Sequence, residues 1–75
     1  MSEARSKRSV VTATAQEVLP KFGLAYLIDD QETTWTVTGS TQGPGLDTLH
    51  TGQRIQLRLD HHPGFSVVRS YERLT

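Results

Sequence analysis

Residues Gly45-Leu-Asp-Thr-Leu-His-Thr-Gly-Gln-Arg-Ile-Gln-Leu-Arg-Leu59 read as a glycine-marked turn feeding a strand. Ile55, Leu57 and Leu59 point one way, and Arg54, Gln56 and Arg58 point the other. Such period-two alternation belongs to a strand with one face buried and one in water. Four further runs can be read around it. Val10 to Val18 sets Val11, Ala13 and Ala15 against Val10, Thr12 and Thr14, and Leu19-Pro20-Lys21 breaks it because proline brings no N–H to a ladder. Phe22 to Ile28 is strongly apolar and ends at Asp29-Asp30-Gln31-Glu32, a polar connection suited to a hairpin turn. Thr33 to Thr38 places Trp35 and Val37 on one face and Thr34, Thr36 and Thr38 on the other. A loop, Gly39 to Gly45, leads into the opening segment, whose strand covers Gln53 to about Asp60. His62-Pro63-Gly64 makes the next turn, and Phe65 to Tyr71 is the fifth strand.

No segment keeps a helical period and no repeat is present. Five short strands, with the longest connection between the third and fourth, predict an all-β fold: a small five-stranded Greek-key barrel of the oligonucleotide/oligosaccharide-binding (OB) type. A small sandwich or an SH3-like barrel has a similar strand count.

The chain has 75 residues, 35% of them hydrophobic, and no cysteine. This suffices for one domain with a modest core and excludes disulfides and thiolate metal ligands. Eight Lys and Arg balance eight Asp and Glu, which removes the basic excess that usually marks a nucleic-acid binder. Residues 1–8 are serine-rich and basic, with Arg5, Lys7 and Arg8, and read as a flexible arm preceding a single barrel over 9–75. Three charges are few for binding driven by counterion release, so the arm reads as a solubilising terminus. No apolar run approaches the roughly 20 residues of a membrane span, and no apolar signal core is present. The expected location is the cytoplasm.

The opening segment resembles the fourth strand of cold-shock domains, Gly-Leu-x-x-Leu-x-x-Gly-Gln-x-Val. Lys21-Phe-Gly-Leu-Ala-Tyr-Leu-Ile-Asp-Asp30 is similar to their Lys-Gly-Phe-Gly-Phe-Ile-Thr-Pro-Asp-Asp, and Trp35-Thr-Val-Thr-Gly-Ser40 to Val-Phe-Val-His-Ile-Ser, with no gap between the pieces. The resemblance spans about Lys21 to Tyr71. It implies an OB barrel that stacks single-stranded bases on exposed aromatics of its second and third strands, each base contributing about 1–3 kcal/mol. The chain departs from the family on those strands. Gly23 and Ala25 stand where the two stacking phenylalanines would be, and Thr36 and Thr38 where a stacking Phe and His would be. Glu17-Val18-Leu19 replaces the first-strand Lys-Trp-Phe, and Lys21 is kept. A shorter match, Glu17-Val-Leu-Pro-Lys21, resembles the Glu-Ala-Leu-Pro-Asn hairpin of bacterial translation initiation factor one, which implies a ribosome-associated protein of the same fold.

The register of the second and third strands decides what their outer face offers. In the gapless register Leu24, Tyr26, Ile28, Trp35 and Val37 fill the core and the binding face is nearly bare. A slip of one residue in both strands puts Leu24, Tyr26, Trp35 and Val37 outside, leaving Gly23, Ala25, Leu27, Thr34 and Thr36 inside. The second set holds too little volume for a barrel, and its threonines would need buried partners. Burial therefore favours Trp35 in the core. Tyr26 and Trp35 are the stacking candidates if the slipped register holds.

His50, His61 and His62 suggest a metal, but adjacent histidines on a strand end point to opposite faces, so they read as turn and strand-end residues. Asp29 and Asp30 fall in a turn that favours aspartate for its local hydrogen bonds. The Gly39 to Gly45 loop lacks the Gly-Lys-Ser/Thr ending of a phosphate loop and precedes no helix. The expectation is no enzyme, no cofactor and no metal. Arg54 and Arg58 lie on the outward face of the fourth strand, and Arg69 shares a face with Phe65, Val67 and Tyr71. The resulting expectation is a monomer that binds single-stranded RNA or DNA weakly and without sequence preference, through Lys21, Arg54, Arg58 and Arg69 on phosphates with limited stacking. The alternative is a protein-interaction module on a barrel whose nucleic-acid face has been blanked.

Overall fold

The computed structural model describes residues 7–74. Five strands form one antiparallel sheet in the order β3-β2-β1-β4-β5: β1 (Lys7–Leu19), β2 (Leu24–Asp29), β3 (Thr34–Thr38), β4 (Arg54–His62) and β5 (Phe65–Arg73). Short 3-10 turns occupy Pro20–Phe22 and Leu46–Thr48. β1 serves two partners in succession. Lys7 to Thr14 pair with β4, and Ala13 to Leu19 pair with β2.

The sheet curls because two strands carry an extra residue, one in β1 between Ala15 and Glu17, and one in β5 opposite Arg58 and Leu59. Such bulges bend a strand and increase its twist. Closure is completed by the loop after β3: Gln42 makes a parallel bridge to Ser70, and its carbonyl accepts a hydrogen bond from the Tyr71 N–H at 3.0 Å. A partly open, five-stranded Greek-key barrel of the OB type results, as expected. None of the helical elements among the described residues is long and apolar enough to cross a membrane.

β4 behaves as its alternation requires. Ile55, Leu57 and Leu59 are buried, while Arg54 and Arg58 are exposed. The core adds Ala13 and Ala15 from β1, Ala25 and Leu27 from β2, Val37 from β3, Leu46 and Leu49 from the long loop, and Tyr71 from β5. Two glycines make that loop possible. Gly52, at φ +89°, turns the chain so that its N–H donates to the Ala15 carbonyl at 2.7 Å, a backbone angle only glycine adopts freely. Gly43 lies against the Tyr71 ring, where an added Cβ would sit 2.5 Å from Cε1.

Several expectations are corrected. Lys7 and Arg8 are not part of an arm. They pair with His61 and Asp60, because β4 continues to His62 and offers them an edge. The remainder of the expected arm, residues 1–6, lies outside the described residues. His61 and His62 are strand residues, with Pro63 and Gly64 making the turn. Phe22 is not in β2. Pro20 and Gly23, at φ +72°, enclose it in the 3-10 turn and leave it exposed.

The largest correction concerns β2. Ala25 and Leu27 are fully buried, and Leu24, Tyr26 and Ile28 take the outer side, half-buried. On β3, Val37 is buried and Trp35 packs against the core, as expected. Thus β2 follows the slipped register and β3 the gapless one. The hairpin sets this parity: Leu27 pairs with Trp35 and Tyr26 with Thr36, so Tyr26 and Trp35 face opposite sides. The volume judged missing from β2 is supplied by Leu46, Leu49 and Tyr71. Arg69 does not share a face with Tyr71 either. The β5 bulge falls at Arg69, so Val68 and Tyr71 both pack inward while Val67 stays outside.

Candidate nucleic-acid interface

The outer side of β1, β2 and β3 carries a compact apolar and hydroxyl surface. Cross-strand pairing arranges it in three rows: Leu19, Leu24 and Thr38; Glu17, Tyr26 and Thr36; Thr14, Ile28 and Thr34. Tyr26 is the central side chain and the one aromatic in these rows. Its ring lies partly covered between Leu24 and Ile28, the positions two residues away on the same side of the strand. A half-buried aromatic on a sheet offers one face for stacking without losing its packing.

The rim is built by the Pro20–Phe22 turn. Proline begins it, and Gly23 ends it in the left-handed conformation, its N–H bonded to the Pro20 carbonyl at 3.1 Å. Lys21 and Phe22 are therefore both presented to solvent, with Phe22 75% exposed. Sequence reasoning counted Phe22 as a strand residue. The Pro-x-x-Gly spacing around it was the signal that it sits in a turn.

At the other end of the face, Arg54 continues the Thr14 row. Its guanidinium donates to Thr14 Oγ1 at 2.9 Å and approaches Asp30 Oδ1 at 3.4 Å. An exposed pair of this kind contributes only about 0–1 kcal/mol, yet it partly cancels the charge Arg54 could offer to a phosphate.

Trp35 is not part of this surface. It lies on the inner side of β3, and its Nε1–H donates to Asp29 Oδ2 at 2.9 Å. Asp29 Oδ1 accepts from the Gln31 and Thr33 amides, both at 2.9 Å. The aspartate thus ties the tryptophan to the turn that fixes the β2–β3 register. The indole first, then the Thr33 and Gln31 amides, favour the charged carboxylate and hold its pKa below the usual aspartate value.

Of the residues singled out from sequence, Tyr26 and Arg54 come to this one side of the sheet, and Lys21 is exposed in the turn at its end. Trp35 is turned inward, and Arg58 and Arg69 lie away on β4 and β5. The histidines are dispersed. His50 is in the long loop, His62 stacks on Phe65, and His61 bonds to Ser9 and Ser66 on the neighbouring strands. Among the described residues no three His, Cys, Asp or Glu side chains gather as a metal site.

The topology and this face define a small OB-type barrel. The chain is similar in structure to apo-CusF residues 6–88 from Escherichia coli, with a TM-score of 0.69 over 100% of this chain and 96% of that one, at 14% sequence identity. That likeness concerns the fold. No protein-family model and no curated protein matches the chain.

Proposed function

We propose that the protein binds single-stranded nucleic acid on the outer side of β1, β2 and β3, as a divergent cold-shock-like barrel. The observation carrying this reading is the outward position of Tyr26. In the observed phase of β2 Leu24 and Tyr26 face outward, and a shift of one residue against the gapless match with the resembling family would bring them to its two stacking positions. Thr36 and Thr38 offer hydroxyls in place of aromatics, and Lys21 supplies a cation at the rim. Glu17 beside Tyr26 opposes phosphate there, so the backbone of a bound strand runs on the Lys21 side. One aromatic and one rim cation give weak, sequence-tolerant binding that falls as salt rises.

The test is anisotropy of a labelled oligo-dT or oligo-U in low salt. Tyr26→Ala is expected to weaken binding about five- to hundredfold, the equivalent of one stacked base, while Trp35→Phe leaves it unchanged. No binding by the unaltered protein, or equal binding by Tyr26→Ala, overturns the reading.

A protein-interaction module is favoured by a different observation. Among the described residues β3 pairs with β2 alone, which leaves the other edge of Thr34–Thr38 outside the ladder, and an open edge can accept a partner strand. Capture of one protein partner that survives nuclease treatment would select this second reading.

A further inference from the structure

Away from Tyr26, three arginines come together where β1, β4 and β5 run side by side. Arg8 on β1, Arg58 on β4 and Arg69 at the β5 bulge line one groove of about 370 Å³ together with Val10, Gln42 and Ser70. Among the described residues no carboxylate lines it. Asp60 and Glu72 pair with the arginine heads and offset part of their charge, as Asp30 does for Arg54, leaving three guanidiniums against two carboxylates. Asp60, whose side chain is 13% exposed, accepts from Arg69 Nη1 at 2.8 Å, and its Oδ1 lies 3.5 Å from Arg8 Nε. Glu72 stands 3.8 Å from Arg58. One half-buried aspartate thus bonds the exposed guanidinium of Arg69 and lies beside that of Arg8, in a chain whose net charge is zero. Guanidinium forks match phosphate geometry and keep their charge at any accessible pH.

A second feature adjoins the groove. Two residues past the Asp60–Val67 pair, His62 pairs with Phe65, and their rings stack at 4.8 Å between centroids. Phe65 is 59% exposed, so the outer face of the stack is open to another flat ring. In the opposite direction a neighbouring groove of about 450 Å³ shares Arg58, Ser70 and Gln42 but is also lined by Glu72, which repels phosphate. Phosphate is therefore favoured at the Arg8–Arg69 end, the end nearer Phe65.

We propose that the Arg8–Arg58–Arg69 groove and the Phe65–His62 stack form a second subsite for single-stranded nucleic acid, with a backbone phosphate in the groove and a base on Phe65. This rests on the reading of the chain as a binder of single strands, but it uses none of the residues of the Tyr26 face. Arg58 and Arg69 are expected phosphate contacts from the sequence, whereas Arg8 is expected in an arm; β1 begins at Lys7 and carries Arg8 in phase with Val10, Thr12 and Thr14.

The test is NMR of the full chain in low salt, following backbone amides and arginine Nε–H groups, with hexathymidylate and, separately, inorganic pyrophosphate. Hexathymidylate is expected to shift Arg8, Arg58, Arg69, Val10 and Phe65, and pyrophosphate to shift the groove but not Phe65. Arg58→Gln is expected to lower the slope of log affinity against log salt by about 0.7, the loss of one phosphate contact on a single strand, with signals elsewhere in place. Shifts confined to the Tyr26 face overturn this subsite and leave the proposed function standing. Shifts confined to the groove and Phe65 do the reverse. A groove that responds to pyrophosphate but not to hexathymidylate is an adventitious anion site and overturns the proposal, as does an unchanged salt slope in Arg58→Gln. No shift with either probe overturns both readings.

Discussion

β4 and β2 lie on either side of β1 in the same sheet, yet they specify their faces by different means. In β4 from Arg54 to Asp60 every inward residue is a large aliphatic and every outward one is polar or charged. A slip of one residue would bury Arg54, Gln56 and Arg58, at a cost no alternative contact offsets. β2 has apolar residues on both sides. Its inward pair is Ala25 and Leu27, and its outward set, Leu24, Tyr26 and Ile28, is bulkier. Burial alone would choose the opposite phase. The phase is fixed instead by the Asp29 turn, which pairs Ile28 with Thr34, and by the loop residues that complete the core. Periodicity therefore decides register only where one face is costly to bury.

This comparison can be broken most directly by truncation at adjacent β2 positions. Leu27→Ala removes a fully buried side chain and is expected to cost about 2–5 kcal/mol. Ile28→Ala, its half-exposed neighbour, is expected to cost about 1 kcal/mol or less. Urea unfolding of the two variants measures the difference. Equal costs, or the reverse order, would mean that β2 presents its other face to the core.

A second variant sharpens the part played by the loop. If Tyr71, Leu46 and Leu49 supply the volume that β2 lacks, the contact of Gly43 with Tyr71 cannot relax freely. A Cβ at residue 43 would come within 2.5 to 2.7 Å of three atoms of the ring. The ring is only 2% exposed, and its hydroxyl accepts from the Gly45 N–H at 3.1 Å. Gly43→Ala is expected to destabilise by about 1–3 kcal/mol through overpacking. A loss below about 0.5 kcal/mol, the ordinary range for a surface change, would show that the loop does not press on the core.

The same contrast explains what could be read from the residues alone. The five strands, the inward set of β4 and the sides of β3 follow from alternation and turn residues, and these led to the barrel. The phase of β2 was not legible, because Leu24-Ala25-Tyr26-Leu27-Ile28 is apolar on both sides and the deciding contacts come from residues 46, 49 and 71. Arg69 was misplaced for a related reason. An extra residue in β5 reverses the alternation there, and nothing in Val67-Val68-Arg69-Ser70 marks it. On the candidate face Lys21 and Arg54 were legible as exposed cations. Tyr26 could be placed outside only together with Trp35, a combination that the hairpin parity forbids.

The smallest expected effect tests that parity through Asp29. Its carboxylate accepts from the Trp35 indole and from two turn amides, so its pKa is lowered in the folded protein. A carboxyl with a lowered folded pKa adds stability that is fully present above its unfolded value of about 3.9 and is lost as pH falls through the lower, folded value. Acid unfolding of the unaltered chain therefore contains a contribution from Asp29 that appears below about pH 4. Asn at position 29 keeps a side-chain oxygen for the amides but has no charge to titrate. Asp29→Asn is expected to shift Trp35 emission modestly at neutral pH and to flatten the loss of stability below about pH 4, with stability at pH 7 below that of the unaltered protein. Emission from the single tryptophan reports both the unfolding and the local bond. An acid limb of unchanged steepness in Asp29→Asn would show that the indole and the carboxylate do not meet, and that the β2–β3 register is held by the turn amides and the core alone.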